Sequence, residues 1–261
     1  MERQTPLIIT ATPNNCWLHP EVPYPRTPEE VGEEARLCRE AGAAILHLHS
    51  LDWRSDVEAI RSATDLIVQC GMSSQPIPER MEIFRLHSDM ISIITSHHDE
   101  AFTDVDTHAL HPREELEEYA RLSSEYGVKL EFETWHTGAI WNLRYLIDKK
   151  VVEPPYFTSL FFGWPGGSWS PPTVEEYEYR RRYLPEGSIV TVSIMDECQI
   201  DIIAAAIVAG DHIRVGTEDY PFNRLGKIAQ AHEVVAEAVQ LATALGRPVA
   251  TPDQARELIF P

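Results

Sequence analysis

The strongest chemical signature in the chain is the pair of histidines in Ala43-Ala44-Ile45-Leu46-His47-Leu48-His49-Ser50. The run is apolar, follows Gly42 and reads as a buried strand. Side chains two apart on a strand share a face, so His47 and His49 project together while Leu46 and Leu48 pack the other way. Two imidazoles at one strand end are two-thirds of a metal site. The same pattern also fits two polar residues where a strand meets solvent. A stretch near the C-terminus, Asp211-His212-Ile213-Arg214-Val215-Gly216-Thr217-Glu218-Asp219, offers a third ligand. Arg214, Gly216 and Glu218 have one parity; Ile213 and Val215 have the other. Two imidazoles and a carboxylate make a three-ligand site with open positions, the pattern of a catalytic metal. The alternative for Arg214 and Glu218 is an ion pair inside the protein. His212 falls at the opposite end of its strand. His19, His87, His108, His111 and His232 have no spacing that points to chemistry.

Residues so far apart in sequence need a scaffold that gathers strand ends. The chain alternates strand and helix patterns from end to end. Strands are expected at 6–11, at the His47/His49 stretch, and at 66–70, 90–95, 128–134, 156–162, 188–195 and 211–216. Between them lie helices. One starts at Thr27-Pro28-Glu29-Glu30, with Thr as N-cap, Pro at the first helical position and Glu at the third. Others are expected at 57–65, 79–86, from His111-Pro112 to Gly127, and at 137–150, 173–183, 199–209 and 227–245. Thr251-Pro252-Asp253-Gln254 caps a last short helix. Eight strand–helix units in a row imply a parallel sheet, and their number and length fit a closed (β/α)8 TIM barrel formed by residues 1–261 as a single domain. A doubly wound open sheet is the competitor, but no G-x-G-x-x-G follows a strand. In a (β/α)8 barrel the active site lies at the C-terminal strand ends. His47 and His49 end strand two, His97-His98-Asp99 follow strand four, and Glu133 ends strand five with His136 beyond it.

The bulk composition narrows the partners. With 22 Lys and Arg against 41 Asp and Glu, the net charge of −19 argues against nucleic acid or an anionic membrane surface as the main partner. A local arginine can still hold a small anion. The four cysteines, Cys16, Cys38, Cys70 and Cys198, are scattered without a C-x-x-C, as expected of reduced thiols in a cytoplasmic protein. The first residues show no signal-peptide pattern, and no apolar run approaches a membrane span.

The chain resembles the β-keto acid cleavage enzymes. The resemblance is carried by Thr27-Pro28-Glu29-Glu30, by Ala41-Gly42-Ala43 with His47-Leu48-His49, and by Gly163 with Pro165-Gly166-Gly167. Gly210 with His212-Ile213-Arg214-Val215-Gly216 and Glu218-Asp219 also carries it, as does the tail Gly246-Arg247-Pro248-Val249-Ala250-Thr251-Pro252. It runs from the first strand to the last helix. It implies a (β/α)8 barrel with a divalent metal on His47, His49 and Glu218, zinc before Co2+, Mn2+ or Ni2+. It implies a β-keto acid and acetyl-CoA as substrates, acetoacetate and a new acyl-CoA as products, and a homotetramer as the assembly. Asp219, paired with Arg214, resembles the family's base. A carboxylate beside a guanidinium has a lowered pKa, so Asp219 is expected to be ionised at neutral pH.

Several segments depart from the family. Cys70-Gly71-Met72-Ser73-Ser74 replaces a Thr-Gly-Gly-like turn that holds the substrate carboxylate, leaving Ser73 and Ser74 to serve. Ser96-His97-His98-Asp99 replaces a Thr-x-Asn-Phe segment, which places His97 at the substrate. Ser193-Ile194-Met195-Asp196 replaces a Gly-Ile-Gly-Arg-like segment. A gap-free count puts Trp17 where one well-known member has a Glu that holds an amino group, so an uncharged acyl tail is expected. Gly166 and Gly167 complete the expected substrate contacts. Two competing functions remain. One is a barrel metallohydrolase using a metal-bound hydroxide, hinted at by His97, His98 and His136. The other is a binding protein that keeps the barrel without its chemistry.

Overall fold

The computed structural model describes residues 5–14, 22–100, 107–163 and 169–261. The parallel strands are β1 (Ile9–Thr12), β2 (Ile45–Leu48), β3 (Ile67–Cys70), β4 (Met90–Ile94), β7 (Lys129–Thr134), β8 (Tyr156–Gly163), β9 (Ser188–Met195) and β10 (His212–Gly216). They close into a barrel in the order β1-β10-β9-β8-β7-β4-β3-β2. An antiparallel hairpin of β5 (His97–Glu100) and β6 (Thr107–Leu110) follows β4. The helices are α1 (Pro28–Ala41), α2 (Trp53–Ala63), α3 (Ile77–Arg85), α4 (Arg113–Tyr126), α5 (Thr137–Asp148), α6 (Val174–Arg181), α7 (Gln199–Ala209), α8 (Ala231–Ala244) and α9 (Pro252–Ile259).

Local chemistry sets the boundaries. At α1 the Thr27 hydroxyl accepts from the Glu30 amide at 3.3 Å, and the Glu30 carboxylate accepts from the Thr27 and Arg26 amides. These bonds satisfy donors that a helix start leaves open. The helix stops at Gly42, whose φ of 118° suits a residue without a Cβ. Helix α2 begins four residues before the expected start, because the Asp52 carboxylate caps it by accepting from the Ser55 amide. Helix α8 begins four residues late, because residues 223–227 form a tight turn in which the Asn223 amide donates to the Lys227 carbonyl at 2.8 Å. The β5–β6 hairpin is a departure from the uninterrupted strand–helix alternation.

Alternate positions of each barrel strand serve two cores. Outward residues such as Leu46, Val68, Ile91, Phe132, Phe162 and Val192 pack under the helices. Inward residues Ile8, Ile45, Ile67, Met90 and Phe157 fill the barrel floor, closed by Ala255 and Ile259 of α9. Above the floor the interior turns polar: Thr10, His47, Gln69, Ser92, Glu131, Ser159, Thr191 and Arg214 are all at most 1% exposed. Buried polar groups cost stability unless partnered, so a polar layer in a barrel core marks where the fold serves chemistry. Two buried arginines tie helices to the strand ends above it. Arg80 of α3 donates to the carbonyls of Gly71 (2.9 Å) and Ser92 (2.6 Å). Arg180 of α6 donates to the carbonyls of Phe161 (2.7 Å) and Thr134.

His212 lies at the floor, away from the mouth. Its Nδ1 accepts from the Ile8 amide at 2.9 Å, and burial, with help from Arg247, pushes its pKa down to about 3. The unfolded chain therefore takes up a proton below the ordinary histidine value of about 6.5 that the folded chain refuses until about 3, and stability falls as pH drops through that window. His212→Asn retains an acceptor and removes the titration. Relative to this variant, the wild type should lose about 2 kcal/mol of unfolding free energy between about pH 7 and 5. Urea denaturation of both proteins at the two pH values measures the difference. Parallel losses would rule out His212 as the source.

Candidate active site

Strand β2 delivers His47 and His49 to the barrel mouth with ring centroids 5.1 Å apart. Across the mouth, β10 ends at Gly216, and the chain turns with the Tyr220 amide donating to the Gly216 carbonyl at 3.0 Å. The turn brings Glu218 to 3.7 Å from His47 Nε2 and 3.5 Å from His49 Nε2. One donor atom from each of the three lies within 4.8 Å of the others, and among the described residues theirs is the group so arranged. Each was expected as a ligand from sequence.

The surroundings fit a divalent cation. The His47 Nδ1 is 2.8 Å from Gln69 Oε1, an acceptor, so Nδ1 carries the proton and Nε2 presents its lone pair. Burial, then the nearby Arg214 guanidinium, holds the His47 pKa well below its ordinary value, keeping the ring neutral as a ligand must be. The Asn14 amide grips the backbone of His49 on both sides: its Oδ1 accepts from the His49 amide at 3.0 Å, and its Nδ2 donates to the His49 carbonyl. Gly71 leaves room for both rings. A Cβ there would stand 2.4 Å from His49 Cδ2 and 2.6 Å from His47 Nε2. Gly216, at φ 151°, similarly lets β10 approach the Thr12 carbonyl, which a Cβ would meet at 2.5 Å. Gln69, Asn14 and Gly71 were not singled out as ligand supports by sequence. The local signals available were an amide two residues before Gly71 and a glycine at a strand end. Replacing Gln69 with Leu should weaken metal affinity by about 10–100-fold, the usual cost of losing a ligand's hydrogen-bond partner. Competition against a chromogenic chelator measures it; an unchanged affinity would show that the Gln69 bond does not orient His47.

Arg214 organises the acidic side. Its Nη2 donates to Glu218 and, at 2.9 Å, to Asp219 Oδ1, while its Nε lies 3.1 Å from Asp219 Oδ2. The guanidinium also stands 5.1 Å over the Phe161 ring, an added cation–π attraction. Asp219 is fully buried, and this corrects the expected direction of its pKa. Burial pushes the carboxyl up to about 6, Arg214 opposes the rise, and the Glu218 charge adds to it. The guanidinium is shared between two carboxylates and does not compensate for the loss of water. Lower in the barrel, burial and then Glu133 push Glu131 up to about 8, with the Ser159 hydroxyl donating to it.

The other expected substrate contacts divide. Ser73 is at the mouth, its hydroxyl donating to Glu133 Oε2 at 2.7 Å. Ser74 lies beside it in the turn after β3. His97 is exposed at the base of the hairpin and does not join the metal group. His136 is held by Ser96, its Nε2 lying 2.9 Å from the hydroxyl. Trp17, Gly166 and Gly167 lie outside the described residues.

The model of the beta-keto acid cleavage enzyme family matches residues 6–260. The chain belongs to this family. The 3-keto-5-aminohexanoate cleavage enzyme of Fusobacterium nucleatum is 30% identical over 92% of this chain and 91% of its own. The 3,5-dioxohexanoate:acetyl-CoA acetone transferase of Paraburkholderia graminis is 24% identical over 99% of this chain and 97% of its own. Among solved structures, apo ObcA superposes with a TM-score of 0.72 at 16% identity, covering 90% of this chain and 65% of ObcA, a likeness of fold. Family members are enzymes, and this chain gathers the histidine pair and the Arg214–Glu218–Asp219 turn at one end of its barrel.

Proposed function

We propose that the protein condenses a β-keto acid with acetyl-CoA and cleaves the product to acetoacetate and a new acyl-CoA. Family membership and relatives named as a keto acid cleavage enzyme and as an acetyl-CoA-dependent transferase support the reading. The observation that carries it is the buried Arg214–Asp219 pair beside the His47, His49 and Glu218 donors. His47, His49 and Glu218 would hold a divalent metal, zinc first, which would supply Lewis-acid polarisation to a keto oxygen bound beside them. Asp219 removes a proton from C2 of the keto acid. C2 then bonds to the acetyl carbonyl carbon, and the CoA thiolate departs. The thiolate adds to the original keto carbon, the C2–C3 bond breaks, and C2 takes back the proton. Arg214 holds Asp219 in place throughout and keeps it from turning away from the substrate. Ser73 and Ser74 donate to the substrate carboxylate, with Ser73 exchanging its bond to Glu133.

The competing metallohydrolase reading needs only water as co-substrate. Incubation of the zinc-loaded protein with a panel of β-keto acids, with and without acetyl-CoA, decides between the two. We expect acetoacetate and a mass-matched acyl-CoA only when acetyl-CoA is present. CoA-independent turnover of a keto acid would overturn the proposal. No helix among the described residues is long and apolar enough to cross a membrane, and Cys38, Cys70 and Cys198 are free thiols. The free thiols suit a cytoplasmic protein; the homotetramer is what the family resemblance implies, and light scattering of the purified protein tests it.

A further inference from the structure

A cavity of about 480 Å3 opens beside His49. Tyr24 and Arg26 line it from the segment before α1, Val31 from α1, Leu51 from the turn after β2, and Met72 from the turn after β3. Met72 has φ 59°, a left-handed conformation that glycine adopts freely and residues with side chains avoid. Strain of this kind concentrates at functional sites, and here it places a thioether in a cavity wall one residue from Gly71. The next residue, Ser73, reaches Glu133 of the barrel interior. The turn after β3 thus presents a polar group toward the barrel and an apolar one to the cavity. A keto acid whose oxygen lies among the metal donors must direct its tail out past a ligand, and this cavity adjoins one.

The charged groups of the lining are already engaged. Asp52 caps α2, accepting from the Ser55 amide and hydroxyl at 3.2 and 2.7 Å. Asp56 accepts from the Ser50 hydroxyl at 2.5 Å, and burial raises its pKa. The Arg26 guanidinium stands 4.7 Å over the Tyr24 ring. The Arg26 guanidinium opposes an ammonium here and the Asp52 carboxylate is turned onto the first turn of α2, whereas Tyr24, Val31, Leu51 and Met72 offer apolar surface.

We propose that this cavity is the subsite for the acyl tail of the β-keto acid, that it takes an uncharged aliphatic tail, and that Met72 and Leu51 set the tail preference. The assignment rests on the keto acid reading above. Calorimetric titration of the zinc-loaded protein with 3-oxobutanoate, 3-oxooctanoate and 5-amino-3-oxohexanoate tests it without turnover. The wild type should bind 3-oxooctanoate roughly 10- to 100-fold more tightly than 3-oxobutanoate, as partial burial of the added methylenes requires. It should bind the amino compound no more tightly than 3-oxobutanoate. Met72→Gly relieves the backbone strain and removes a wall. It should weaken 3-oxooctanoate by about fivefold, the effect of losing part of that apolar contact, with 3-oxobutanoate unchanged. Leu51 is 97% exposed, so Leu51→Asp leaves the fold intact. It should weaken 3-oxooctanoate and tighten the amino compound. Equal affinities in the wild type, or a tail preference that neither variant moves, overturn the subsite. So do variants that weaken acetyl-CoA binding alone, which would give the cavity to the thioester. Failure to bind any β-keto acid, 3-oxobutanoate included, overturns the keto acid reading together with the subsite.

Discussion

Replacing His47 with Ala should take the protein from one bound divalent metal per chain to none. Three protein ligands leave no redundancy at an open catalytic site, and the two survivors, His49 and Glu218, come from different strand ends. The loss should appear as an empty site after dialysis against a chelator, with CoA-dependent cleavage falling to background. Gly71→Ala should give the same readout without touching a ligand. Its added carbon would stand 2.4 Å from His49 Cδ2, 2.5 Å from His49 Nε2 and 2.6 Å from His47 Nε2, so both rings must move. His47 is held by Gln69 and the His49 backbone by Asn14, so the rings have few alternative positions. Thermal unfolding of both variants checks that the barrel persists. Stoichiometric metal in His47→Ala would show that the donors lie elsewhere, and full occupancy in Gly71→Ala would show that the rings adapt.

The parts of this site that were legible in the sequence are those set by periodicity. His47 and His49 share a face because strands repeat every two residues, and Arg214 faces the same interior for the same reason. Asp219 falls one residue out of step with Arg214 and Glu218, and it reaches the guanidinium because β10 ends at Gly216 and the chain turns. The parts that were hidden depend on distant partners or on burial. Gln69 and Asn14 meet the histidine pair across 22 and 35 residues, and no local pattern marks them. The role of Gly71 depends on two rings arriving from the neighbouring strand. The sign of the Asp219 shift needed its depth, which a sequence does not carry: a neighbouring guanidinium was visible, the absence of water was not. The hairpin of β5 and β6 was missed because its first strand, His-His-Asp-Glu, has no apolar alternation to announce it. The β1 strand was placed early for the opposite reason. Its apolar run begins before the barrel pairing does, and Leu7 pairs instead with Val249 in an isolated bridge.

Asp219→Asn should leave the metal in place and lower kcat by about 10²–10⁴, the range for losing a positioned acid–base group. The substitution preserves size and still offers an oxygen to Arg214, so the turn after β10 has no steric reason to move. It removes the basic carboxylate, which no other residue replaces at that position: the Arg214 guanidinium holds Glu218 and Asp219 at once, and Glu218 is the proposed third metal ligand. The neighbouring substitution Glu218→Gln should behave in the opposite way, lowering metal affinity first and activity through it. The two adjacent carboxylates are therefore separable by pairing each kcat with a metal measurement on the same sample. Adding saturating zinc sharpens the contrast: activity should return in part for Glu218→Gln and not at all for Asp219→Asn. Loss of metal from Asp219→Asn, or turnover near that of the wild type, would show that Asp219 is not the base. Arg214 would then be a binding group for the substrate or CoA anion, with Asp219 serving to hold it.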